Sequence, residues 1–205
     1  FFSYGVVDQH FGERGRLGRL IRAVETVPDT SYRLGFGVDE DTALIVDGAQ
    51  LTVVGKGYVT IVDGTEAVFR TIGQRLVAEA LVLHLLGADD RFDLSTGVIA
   101  PARYRTSTLR DPYYSRKASG GGGMAFGRQT LADVIGDALL DNEASREVVR
   151  DSFDEDGTGV RYTFGQTNQS QGFWGRRANK EAQYTVISVQ MSLVPIAVKI
   201  EEITE

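Results

Sequence analysis

The sequence predicts an α/β protein: a wound, mostly parallel sheet flanked by helices, followed by a C-terminal α+β extension. Three observations carry this expectation. One apolar stripe of helical period lies near the start, and a series of short β-rich runs follows it. Near residue 100 the composition then turns polar, aromatic-spotted and glycine-rich. The parts expected are therefore 1–98 and an extension over 99–205.

The first element is a short apolar stretch, FFSYGVV, leading into DQHF. A helix is expected from about Gly12 to Val27, because Leu17, Leu20, Ile21 and Val24 fall at i, i+3, i+4 and i+7. Pro28 and Asp29 should end it. Four β-rich runs follow: LGFGV (34–38), ALIV (43–46), QLTVV (50–54) and YVTIV (58–62). Asp47-Gly48 and Asp63-Gly64 are turn dipeptides, so at least the second pair should form a meander. ALVLHLL (80–86) suits a strand packed on both faces. The stretch PARYRTSTLRDPYYSRKASGGGGMAFG reads as a boundary or mobile excursion. Beyond it, helices are expected over roughly 128–140 and 143–153, with a break at Asp141-Asn142. The tail from Tyr184 to Ile200 is strand-like, and Pro195 in it favours an edge or a bend.

Composition narrows the function classes. The chain has 205 residues, enough for one substantial domain with an appendage, and its hydrophobic content of 42% is ordinary for a globular protein. No apolar run approaches the ~20 residues that span a bilayer, so a membrane partner is not expected. The formal charge of −6, with 22 basic against 28 acidic residues, argues against a nucleic-acid surface. With no cysteine, thiolate nucleophiles, thiolate metal sites and disulfides drop out. The sequence begins at Phe1 without a leader, and the expectation is a chain that starts after processing or partway through a longer product.

Two histidines are present, His10 and His84. His10 precedes the first helix, where an imidazole is exposed yet held. Taken alone it would read as a hydrogen-bonded surface or core side chain. Arg14, Arg16, Arg19 and Arg22 crowd the start of the helix, where the dipole prefers acids. A solvated basic face suffices for Arg22. For Arg14 and Arg16, which flank the apolar stripe, an anion site is the sharper reading, since guanidinium holds carboxylates by bidentate contact. Asp39, Glu40 and Asp41 close a strand, a place from which a carboxylate can orient a histidine; alone, three acids in a row make a polar turn.

Together, DQHF, R-G-R-x-G-R-L, G-x-D-E-D-T-A and the hairpin VVGKGYVTIVDG resemble the cyanophycinases in type and order, as does LVLHLLGADDRFDL. The resemblance covers about residues 7 to 96. It implies a wound sheet similar to class I glutamine amidotransferases. It also implies a serine exopeptidase that cuts cyanophycin, a poly-aspartate carrying arginine on each side-chain carboxyl, into β-aspartyl-arginine dipeptides. By motif position His10 would be the general base and Glu40, the middle of the three acids, its orienting partner. Asp8, Gln9, Arg14, Arg16 and Arg19 match positions associated with the substrate pocket or its support. His84 is assigned a structural role. No cofactor or metal is implied, and homo-oligomerisation stays open.

The sequence departs from the family in one large respect: no Gly-x-Ser-x-Gly elbow occurs. Ser119 stands before GGGG but has no strand or glycine ahead of it. The expectation is a nucleophile upstream of Phe1, on a separate N-terminal segment of the same precursor. Longer relatives include exported enzymes with extra C-terminal sequence, so the resemblance leans outward, with a cytoplasmic location as the alternative.

Other signals are weaker. GGGGMAFGRQT lacks the ending of a phosphate loop. DSFDEDGTG lacks a calcium loop's first and last ligands and reads as a polar turn. Asn168 begins a glycosylation sequon that matters only in a glycosylating pathway. Two other functions remain open: a peptidase for other aspartyl dipeptides, and a non-catalytic binding or assembly protein on the same scaffold.

Overall fold

The structure is a computed structural model, and it describes residues 2–28, 33–118, 120, 122–124, 130–178 and 180–198. The first part runs β1 (Val6–Gln9), helix α1 (Leu17–Glu25), β2 (Leu34–Val38), β3 (Thr42–Asp47), β4 (Gln50–Gly55) and β5 (Val59–Asp63). Next come β6 (Val68–Ile72), β7 (Arg75–Leu86), β8 (Arg91–Asp93), β9 (Ile99–Ala100) and β10 (Thr106–Ser107). The remainder is helix α2 (Ala132–Leu140), wound with π-type spacing, then β11 (Glu147–Phe153), β12 (Thr158–Gly165), β13 (Gln171–Gly175) and β14 (Gln183–Ala197).

The strands form a ten-stranded sheet whose main path is β1-β2-β5-β7-β14-β12-β11, and a four-stranded sheet ordered β3-β4-β8-β9. Alternate residues of β5 divide between two cores. Val62 joins α1, α2 and Leu81, Leu83 and Leu85, whereas Val59 and Ile61 join Leu51, Val53 and Phe92 of the small sheet. Both helices thus pack on one face of the large sheet, and the small sheet packs on the other.

The mixed α/β expectation stands, but the mostly parallel sheet does not. Among the described strand pairs only β1 and β2 run parallel, and all the others are antiparallel. Parallel neighbours need a crossover of a dozen or more residues. Only the segment holding α1 is used that way among the described strand pairs. Asp47-Gly48 closes the β3–β4 hairpin, with Gly48 left-handed at φ +57°. Asp63-Gly64 does not close one, since β6 pairs with β7.

Helix α1 buries Leu17, Leu20, Ile21 and Val24, the stripe read from the sequence. It starts five residues later than expected. Gly15 is left-handed at φ +56°, and the Arg16 amide bonds back to the Phe11 carbonyl at 3.2 Å, so residues 12–15 make a turn. The second of the two later helices is absent: 147–153 is β11, paired along its length with β12. The first ends at Leu140 as expected, while 128 and 129 lie outside the described residues. The tail strand β14 is interior, between β7 and β12; Pro195 falls beyond Leu193, the last residue paired to β7, so its missing N–H costs that ladder nothing. Residues 154–157 form the polar turn of the β11–β12 hairpin, with Gly157 left-handed at φ +75°. Ser119 and much of the glycine-rich stretch lie outside the described residues.

A buried polar knot ties the ends of these strands together. The Arg105 guanidinium pairs with Asp90, both side chains fully buried, and also donates to Thr185 Oγ1 at 2.9 Å and to the Ala88 carbonyl at 3.1 Å. Gln183 accepts from the Ala88 amide at 3.0 Å and donates to the Gly57 carbonyl at 2.9 Å. Such a network is stable only when nearly every member is satisfied, and here Arg105 Nε alone lacks a partner among the described residues.

Candidate active site

The parallel pair fixes the site. Val6, Val7, Asp8 and Gln9 lie opposite Gly35, Phe36, Gly37 and Val38, so both strands end at the same level. His10 and Glu40 emerge just past their carboxyl ends, where ligands bind in open α/β sheets. Strand β1 stops because His10 turns left-handed at φ +51°, although the next amide, of Phe11, still bonds to the Val38 carbonyl at 3.1 Å.

LGFGV is glycine-spaced for packing. A Cβ on Gly37 would lie 2.4 Å from the Phe11 ring, and one on Gly35 would lie 2.6 Å from Val24. The two glycines let Phe11 and α1 press directly on β2, and that close approach holds the turn carrying His10.

His10 Nδ1 stands 2.6 Å from Glu40 Oε1. With Glu40 ionised, Nδ1 is the nitrogen that carries hydrogen and donates, leaving Nε2 with its lone pair. The side chains are 47% and 39% exposed, so the pair is open to incoming groups. Both line a cleft of about 430 Å³ together with Gln9, Asp41, Val7 and Leu44.

The three acids point three ways. Asp39 is buried; its Oδ1 accepts from the Gly12 amide at 2.9 Å and its Oδ2 from the Tyr58 amide at 2.9 Å. Glu40 takes the imidazole, and its own amide donates to Glu13 Oε2 at 3.3 Å. Asp41, left-handed at φ +53°, reaches Lys56 Nζ at 3.3 Å. The bracing by Asp39 and Glu13 was not anticipated. Its signal was the alternation of side-chain direction at a strand end, which sends neighbouring acids to opposite sides.

The arginines separate. Arg16 donates to Asp8 Oδ1 at 3.0 Å and to the Gln9 carbonyl at 2.6 Å, and Arg19 faces Asp8 Oδ2 at 3.3 Å. Asp8 is buried, so these two cations neutralise it and brace β1 against α1. Arg22 pairs with Glu25. Arg14 is exposed, with no ion-pair partner among the described residues. His84 lies on β7, away from the pair, where its Nδ1 accepts from the Ser188 amide at 3.1 Å; burial pushes its pKa down to about 4. No group of three or more metal-ligating side chains is present among the described residues, and no helix there is long and apolar enough to cross a membrane.

The fold and site define a mixed α/β protein that presents a histidine–carboxylate pair at the ends of two parallel strands. No family model matches the chain. Comparison with curated proteins is specific, however: over 109 residues the chain is 44% identical to the cyanophycinases of Trichormus variabilis and of a Nostoc species, covering 50% of this chain and 36% of each relative. It is 39% identical over 97 residues to the cyanophycinase of Geminocystis herdmanii, covering 44% of this chain and 35% of that protein. About half of this chain is thus similar to cyanophycinases, as its motifs suggest, and the chain spans about a third of the length of those relatives.

Proposed function

We propose that this chain supplies the histidine and the acid of a serine-type exopeptidase that hydrolyses cyanophycin to β-aspartyl-arginine dipeptides. The observation that carries the reading is the 2.6 Å contact of His10 Nδ1 with Glu40 at the carboxyl ends of β1 and β2. It leaves Nε2 as the free base, which is the arrangement a hydroxyl nucleophile requires.

In this reading a serine on an N-terminal segment of the same precursor attacks the scissile carbonyl carbon. His10 Nε2 takes the hydroxyl proton and gives it to the departing amine. The same nitrogen then draws a proton from water as its oxygen bonds to the acyl carbon, and it returns that proton to the serine oxygen as the ester bond breaks, which releases the dipeptide and restores the serine. Glu40 holds the imidazole in one tautomer and stabilises its protonated form. Arg14 is the cation left to meet a substrate carboxylate, while Arg16, Arg19 and Asp8 support the strand and Gln9 lines the cleft.

Residues 1–98 would contribute β1–α1–β2, part of a wound α/β layer like that of class I glutamine amidotransferases, and 99–205 an extension. Two features support a further strand at β1. It ends the sheet with no partner on its outer edge among the described residues, and its own Val7 is 50% exposed.

The test uses the full-length native protein and cyanophycin, with release of β-aspartyl-arginine followed by mass spectrometry. His10→Ala is expected to abolish release, and an unchanged rate refutes the assignment. A serine-directed fluorophosphonate should label the native protein; absence of label together with absence of cleavage leaves the non-catalytic binding reading.

A further inference from the structure

A larger cleft lies on the other flank of the turn that carries Glu40. Its volume is about 730 Å³, within the range of pockets that hold small molecules, and Asp41 lines both it and the His10 cleft. Its walls come from both parts of the chain: Lys56 after β4, Asp89 after β7, Tyr104, and Arg177, Lys180 and Glu181 ahead of β14. Tyr104, Arg177, Lys180 and Glu181 lie outside the stretch that carries the family motifs.

The floor is built and the rim is loose. Gln183, buried, is hydrogen-bonded to the Ala88 amide and to the Lys56 and Gly57 carbonyls, and the Tyr104 hydroxyl donates to the Ala88 carbonyl at 3.0 Å. The rim pairs are exposed and long, Arg177 to Asp89 at 3.6 Å and Lys56 to Asp41 at 3.3 Å. Lys180 is exposed, with no ion-pair partner among the described residues. Such pairs contribute little in water, so an incoming ligand of matching charges can replace them at small cost.

The rim carries both signs, Lys56, Arg177 and Lys180 against Asp41, Asp89 and Glu181. A polyanion would meet the acids, and a polycation the lysines and arginine. A chain whose arms each end in a guanidinium and a carboxylate meets both. We propose that this cleft binds uncleaved polymer next to the reacting unit, seating arginine-bearing arms by their carboxylates on Arg177 and Lys180 and by their guanidinium groups on Asp89 and Glu181. The proposal rests on the substrate reading given above.

The experiment uses the full-length native protein and the double variant Arg177→Glu, Lys180→Glu. Against cyanophycin, KM should rise about tenfold, the loss expected from two exposed ionic contacts, with kcat unchanged. Against a single β-Asp-Arg unit closed as an anilide, which has no neighbouring arm to place in this cleft, both constants should stay at the native values. An unchanged KM on the polymer, or equal rises on both substrates, overturns the second site. Melting temperature checks folding, and Lys180→Glu alone should show about a threefold rise if the double variant is unstable. Co-sedimentation of His10→Ala protein with insoluble polymer reads binding without catalysis, and charge reversal in that background should weaken it. If native protein neither cleaves nor binds the polymer, the substrate reading fails and the cleft's role fails with it. If cleavage is normal and charge reversal changes nothing, only the second site fails.

Discussion

Asp39 has no place in the proton transfers, yet it ties down the turn that follows His10. Asp39→Ala removes two acceptors at once, leaving the Gly12 and Tyr58 amides without the bonds they make at 2.9 Å. A buried N–H left unpaired costs about 1–3 kcal/mol, and Gly12 is partly reached by water, so the sum is about 3 kcal/mol. That is a large share of the 5–15 kcal/mol typical of a domain, and the variant should still fold. Urea unfolding at constant m measures it directly. Gly12 follows His10 by two residues, so kcat should fall with KM little changed. Asp39→Asn retains one acceptor and should recover about half of the stability. An unfolding free energy within about 0.5 kcal/mol of native, with native kcat, would show that the carboxylate does not hold the turn.

Other expectations follow from the same geometry. Glu40→Gln puts an amide beside Nδ1 and loosens control of the tautomer; kcat should drop by up to about 10⁴-fold with stability unchanged, and native kcat would remove Glu40 from the mechanism. Gly37→Ala places a methyl 2.4 Å from the Phe11 ring, so it should cost about 1–3 kcal/mol and depress activity, read by thermal melting and turnover. His84 sets a pH dependence. Its folded pKa is pushed from the ordinary 6.5 down to about 4, so its contribution is complete above pH 6.5 and is lost as pH falls towards 4, by about 3 kcal/mol at most. His84→Asn, which keeps an acceptor for the Ser188 amide but does not titrate, should flatten that part of the stability curve; parallel curves for both proteins would refute it.

Local pattern made some of this legible. The stripe of α1, the β3–β4 hairpin and the interior strand at 80–86 all follow from periodicity and turn residues, which are properties of neighbouring positions. The closeness of His10 and Glu40 was expected only from the family resemblance, since the residues alone read as a loop histidine and a polar turn. What failed was non-local. EVVRDSF was read as helix, although the Asp156-Gly157 turn beside it, paired with GVRYTFG, folds it back as β11. Antiparallel pairing with β12 decided its state, not its own propensity. The sheet's direction was missed for a similar reason. Pairing of β14 with β7 links residues about a hundred positions apart, and no window along the sequence contains both.

The interior place of β14 also bears on how the molecule comes to exist. Synthesis delivers β7 long before residues 183–197, and until they arrive β7 and β12 each present an open ladder edge to their surroundings. Closure of the sheet therefore waits for nearly the last residues described, and pairing across so long a sequence separation is of the kind that slows folding. A nascent chain stalled after β13 would carry the His10 turn, complete in sequence, on a sheet split down its middle.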